Sequence, residues 1–228
     1  MKKRILQLLI GLVLIYISSA YLNAFWVAND PWDAKGPRSS SRGLSGNSAP
    51  NFLQSASESQ MGNLIVSSAS NLLQSASEAF LFMNEVEITD QSGPNINAAL
   101  QRVDLAAAKA AQALRDVMNI IALDRELGYD AQRTASLKAF DYKGFASANG
   151  LNQEIMAQVA VYLAKGNMLG FHQQHYRNLT ALLNILNRIK DDLNAGKLSE
   201  NQVLWSLLQQ YNTTMMFGNY ASLVFYTI

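Results

Sequence analysis

The sequence predicts an all-α protein: an N-terminal membrane-spanning or signal helix, a linker, then an up-and-down bundle of four to five helices. Three observations predict it. Apolar residues recur in alternating steps of three and four through Leu100–Ile121 and Leu179–Leu193, which is the spacing of packed helix seams. A charge-free segment near the N-terminus gives way to a stretch rich in Ser, Gly and Pro. The turn "NAGKLSENQ" at 194–202 is so short that the helices flanking it must pair antiparallel.

Residues 1–28 form the first element. Lys2, Lys3 and Arg4 precede Ile5–Val27, which carries no charge. At about 1.5 Å per residue this segment reaches roughly 34 Å, enough for a hydrocarbon core of about 30 Å. Phe25, Trp26 and Trp32 are then placed at the outer interface, where amphipathic rings are favoured. The same layout is that of a secretory signal, with small residues at Ala20 and Ala24 as cut points. Under both readings the basic end stays in the cytoplasm. The bulk of the chain is placed in the periplasm or outside a bacterial-type inner membrane, and is periplasmic or secreted if the signal is cleaved.

Residues 29–50 hold three of the four prolines and a Ser/Gly cluster, a composition that reads as a flexible linker. Residues 51–217 are expected to be the extracytoplasmic helical bundle. Its first helix has the seam Ile65, Ala69, Leu72, Ala76, Ala79 and Met83, with the many serines read as soluble filler. Its second has Leu100, Val103, Ala107, Ala110, Leu114, Val117 and Ile121. A short helix runs to about Phe140, "DYKGFASANG" (141–150) is a loop, and Leu151–Lys165 is helical before the Gly166 and Gly170 break. The last helix carries Leu204, Leu208, Tyr211 and Met215 and is expected to end near Gly218. An apolar tail, 218–228, remains.

Seventeen acids stand against 18 bases, three of which belong to the N-terminal cluster. A body without a basic excess gives no electrostatic case for nucleic acid. Cysteine is absent, which excludes disulfides, thiolate metal sites and c-type haem attachment. No P-loop, dinucleotide fingerprint or HExxH motif occurs, and "GLSGN" fails as a nucleophile elbow at Asn47. The chain is therefore expected not to be an enzyme. Glu85, Glu87 and Asp90 read as a solvated acidic turn.

The two histidines, His172 and His175, prolong the seam of Leu179–Leu193 backwards. At i and i+3 they share a helix face and are the candidate ligands for a metal or haem, with Glu154 and Met168 the nearest further donors. The opposing expectation is structural: two charged imidazoles about 6 Å apart in a core repel by about 3 kcal/mol, so at least one is neutral at pH 7. The second candidate site is the tail. Met216, Phe217, Tyr220, Leu223, Phe225 and Tyr226 form an uncharged, aromatic run that needs cover, from a partner or from the bundle itself.

In layout alone, an anchor ahead of an extracytoplasmic bundle resembles bacterial chemoreceptor sensor domains, and a cysteine-free exported bundle resembles cytochrome b562-like proteins. Neither likeness rests on a motif that assigns residues. Two functions are thus expected. The first is a non-catalytic accessory subunit that scaffolds a larger membrane protein assembly and needs no cofactor. The alternative is a metal- or haem-binding bundle for electron transfer or metal handling.

Overall fold

The computed structural model describes residues 48–87, 95–127, 131–197 and 201–228. The expected anchor at 1–28, with Phe25, Trp26 and Trp32, lies outside them, as does residue 90 of the acidic turn. Among the described residues the chain is helical throughout, with seven helices and no strand. They are α1 (Ser48–Glu87), α2 (Ile96–Leu127), α3 (Ala131–Ala139), α4 (Tyr142–Ala148), α5 (Gln153–Leu163), α6 (Met168–Asn194) and α7 (Asn201–Thr227). No helix among these residues is long and apolar enough to cross a membrane. The chain divides into residues 1–66 and 67–228. The described part of the first is the start of α1; the second contains the helical body.

Within residues 67–228, α1 and α2 are joined along a seam of small side chains. From residue 67 onward the buried positions of α1 are Ser68, Leu72, Ser75, Ala76, Ala79 and Phe82, so two of the serines, Ser68 and Ser75, are not filler. On α2 they are Ala99, Val103, Ala106, Ala110, Ala113, Val117 and Ile120. The stripe is turned to the alanine side of the expected one: Leu100, Ala107, Leu114 and Ile121 are only partly buried. The reason is visible in the hydrogen bonds. Ser68 Oγ donates to the Ala113 carbonyl (3.3 Å) and Ser75 Oγ to the Ala106 carbonyl (2.6 Å). A side chain as short as serine reaches a neighbouring helix backbone only where nothing larger than Ala stands between them. Arg102 Nη1 pairs with Glu78 Oε2 at 2.9 Å on the edge of this seam.

α6 follows its expected seam. Leu179, Leu182, Leu186, Ile189 and Leu193 are buried, and α6 packs on α2 and on α7. Gly196 takes the left-handed conformation (φ 68°) that ends α6, as the turn requires.

Two expected boundaries are corrected. "DYKGFASANG" is not all loop: Tyr142–Ala148 is α4, because Asp141 caps it by accepting from Gly144 N (2.9 Å). α7 does not end near Gly218 but continues to Thr227. Here glycine is a point of close approach inside the helix rather than a cap. A Cβ at Gly218 would lie 3.3 Å from His175 Cε1.

The continued helix serves two seams. In its first half Leu207, Leu208, Tyr211 and Met215 are buried; in its second, Phe217, Tyr220, Ala221 and Val224. At about 100° per residue the second set is centred roughly 145° round the helix from the first. The second set joins an apolar cluster with Leu137, Tyr142, Ile155, Met156, Val159, Leu163, Met168 and Phe171. The last third of α7 thereby packs against α5, which α4 also packs against.

Candidate functional site

Asn167 caps α6 by accepting from Gly170 N (2.9 Å), and the helix then presents Met168, Phe171 and His172 inward. His175 lies one turn further on, half-buried over Gly218 of α7. The imidazole of His175 is nearly parallel to the Phe171 ring (6.5 Å between centroids, 2°) and to the Phe217 ring (6.2 Å, 11°). Phe171 and Phe217 stack on each other at 4.7 Å, and Tyr162 meets Phe217 edge-on at 6.3 Å. His172 meets Phe171 edge-on at 5.3 Å. The two histidines thus belong to an aromatic cluster built from α5, α6 and α7.

A polar chain runs beside it. Tyr162 donates to Gln174 Oε1 (3.1 Å), Gln174 Nε2 donates to Asn178 Oδ1 (3.1 Å), and Gln210 Nε2 donates to the Asn178 carbonyl (3.0 Å). Among the described residues two buried side-chain atoms have no partner: His175 Nδ1 and Asn178 Nδ2. Each such group costs about 1–3 kcal/mol of desolvation. For His175 the cost is lowest when Nδ1 carries no proton, since an unpaired acceptor is cheaper here than an unpaired, charged donor.

Burial therefore holds both imidazoles neutral. It pushes His175 down to about 4, and burial, reinforced by the neighbouring His175, pushes His172 down to about 3. The expected repulsion of two charged rings does not arise at neutral pH. As metal ligands the pair stands apart from further donors: Glu154 is exposed in the first turn of α5, and Met168 is buried in the apolar cluster. Among the described residues no three His, Cys, Asp or Glu side chains gather in a way that could hold a metal ion.

The apolar tail is covered by the chain's own helices. Phe217 and Tyr220 are buried, while Met216, Leu223 and Phe225 are partly buried against the same cluster; the side chain of Tyr226 lies outside the described residues. Tyr220 ties the tail to α5, accepting from Asn152 N (2.9 Å), the cap of that helix, and donating to Met216 Sδ (3.8 Å). On α4, Tyr142 donates to the Leu137 carbonyl (2.8 Å), and burial pushes its phenol up to about 12.

Sequence reasoning missed a second polar cluster. Asp116 on α2 is buried, and its carboxylate accepts from Ser67 Oγ (2.8 Å), Asn71 Nδ2 (3.3 Å) and Gln112 Nε2 (3.0 Å). One seam step away, Ser75 Oγ lies 2.5 Å from Tyr211 Oη. The single proton of Ser75 goes to the Ala106 carbonyl, so Tyr211 is the donor, and burial raises its phenol above the ordinary value. Ser75 thus links α1, α2 and α7. A signal for this cluster was present: polar residues at 67, 68, 71, 75 and 116 recur with helical spacing on faces that also carry apolar residues.

No protein-family model matches the chain, and neither a curated protein nor a solved structure is similar to it.

Proposed function

We propose that this chain is a non-catalytic subunit of a larger membrane protein assembly, anchored by residues 5–27, with its helical body outside the cytoplasm. It scaffolds that assembly through the outer faces of its helices. The polar groups between helices support this reading, because Asp116, Ser75, Gln174 and Asn178 join one helix to the next. The observation that carries it is on the outside. Trp205 on α7 leaves 63% of its surface exposed, and Met118 on α2 leaves 52%. A large aromatic side chain held on a rigid helix is the residue type that dominates protein contacts when desolvated by a partner.

The test is co-purification of the full chain from its own membranes, with Trp205→Glu and Met118→Glu introduced together. The expected result is loss of the associated subunits at unchanged melting temperature, since exposed substitutions alter stability by at most about 0.5 kcal/mol. Retention of the same subunits in the same amounts by the double variant would contradict the role given to these faces.

A further inference from the structure

We propose that His172 and His175 form an acid-sensitive latch, in which proton uptake by the pair frees the last third of α7 from α5 and α6. The inference stands apart from the scaffold reading and rests on the geometry where α6 crosses α7. His175 is sandwiched over Gly218, a residue with no side chain, and lies parallel to Phe171 and Phe217. An imidazolium there needs an acceptor at Nδ1, and Nδ1 is buried with none.

Among the described residues no counter-charge offsets it. On α5 the titratable groups are Tyr162, which donates to Gln174, and Glu154, which is exposed. On α7, among the described side chains, they are Tyr211 and Tyr220, both hydrogen-bonded. On α6 itself, Arg177 is exposed and bonds Gln174. On α2, the carboxylate of Asp116 is taken by Ser67, Asn71 and Gln112. Neither imidazole joins an ion pair among the described residues. A charge on either ring is therefore relieved by opening to water, and the part of α7 that covers the pair, from Phe217 and Gly218 onward, is the part that moves away. Met216, Leu223 and Phe225 are already partly exposed along that segment, whereas the Leu179–Leu193 seam is closed.

The sign follows from the direction of the shifts. A free histidine titrates near 6.5, while in the closed form the pair stays neutral to about 4 and about 3. The closed form is unaffected above about 7; it loses ground as pH falls below about 6.5, because only the open form takes up the protons. Two sites give a slope approaching two protons per opening. Between pH 7.5 and 4.5 the opening constant then rises by roughly three to four powers of ten.

The chain contains no cysteine, so a single introduced thiol is a clean reporter. Ala221→Cys places it on the buried face of the tail, and Ala110→Cys places a control in the α1–α2 seam; both alanines are buried. Labelling of the full chain with dithiodipyridine, which reacts in acid, is measured from pH 7.5 to 4.5 and divided by the rate for a free peptide thiol. The expected result is a rise of at least about a thousandfold at Ala221→Cys with a slope near two. Ala110→Cys stays protected, and His172→Gln with His175→Gln abolishes the rise. Equal exposure of both thiols would overturn the latch in favour of global unfolding. So would a flat profile at Ala221→Cys, or a rise that persists without the histidines. The slope and the comparison of the two thiols decide the matter even if the double histidine variant does not fold.

Discussion

Phe217→Ala is expected to lower the unfolding free energy by about 3–5 kcal/mol, the range for truncating a fully buried aromatic ring. The site leaves little room for a smaller loss. Phe217 is 0% exposed, stacked on Phe171 at 4.7 Å, edge-on to Tyr162 and parallel to His175. Those three rings come from two other helices, each fixed by its own seam, so the cavity left behind does not collapse readily. The same truncation at Phe225, which is only partly buried, is expected to cost markedly less. Urea denaturation followed by circular dichroism measures both. A loss below about 1 kcal/mol at Phe217 would mean that the end of α7 is not part of the folded core.

Asp116→Ala is expected to be the second most damaging change, at about 2–4 kcal/mol. Asp116 is itself buried and its carboxylate satisfies three donors from two helices, so removing it leaves three half-buried donors without that acceptor. Asp116→Asn keeps one acceptor oxygen but turns a donor towards other donors, so it recovers only part of the loss. A double-mutant cycle with Ser67→Ala reads the coupling directly. If Asp116→Ala melts like the parent protein, the carboxylate does not hold α1 to α2.

The long stretches with one apolar stripe were legible in the sequence. Leu179 to Leu193 pack on the face their spacing prescribes, because a single wide stripe of large side chains has only one way to be buried. α2 was legible as a helix but its face was not. Leu100, Leu114 and Ile121 outweigh Ala99, Ala106 and Ala113 in hydrophobicity, yet the alanines face α1, since close approach lets Ser68 and Ser75 reach the α2 backbone. α7 was misjudged for a different reason. Its buried face turns about two-fifths of the way round near Gly218, so no single period describes it, and the glycine looked like an end.

Of the candidate sites, the histidine pair lies at the start of the α6 seam, His172 buried and His175 half-buried. What the pair does depends on Gly218 and Phe217, some forty residues away, a juxtaposition that spacing within one helix does not contain. The tail was legible as a segment in need of cover. That α5 and α6 supply it follows from Tyr220 and Phe217 meeting Asn152 and Phe171, contacts again remote in sequence.

The most direct test of the scaffold reading is native mass spectrometry of the protein extracted from its own membranes in mild detergent. The account predicts a chain of the full 25.1 kDa, present in fixed proportion within a larger complex. A chain shortened at Ala20 or Ala24 and carried alone would contradict it.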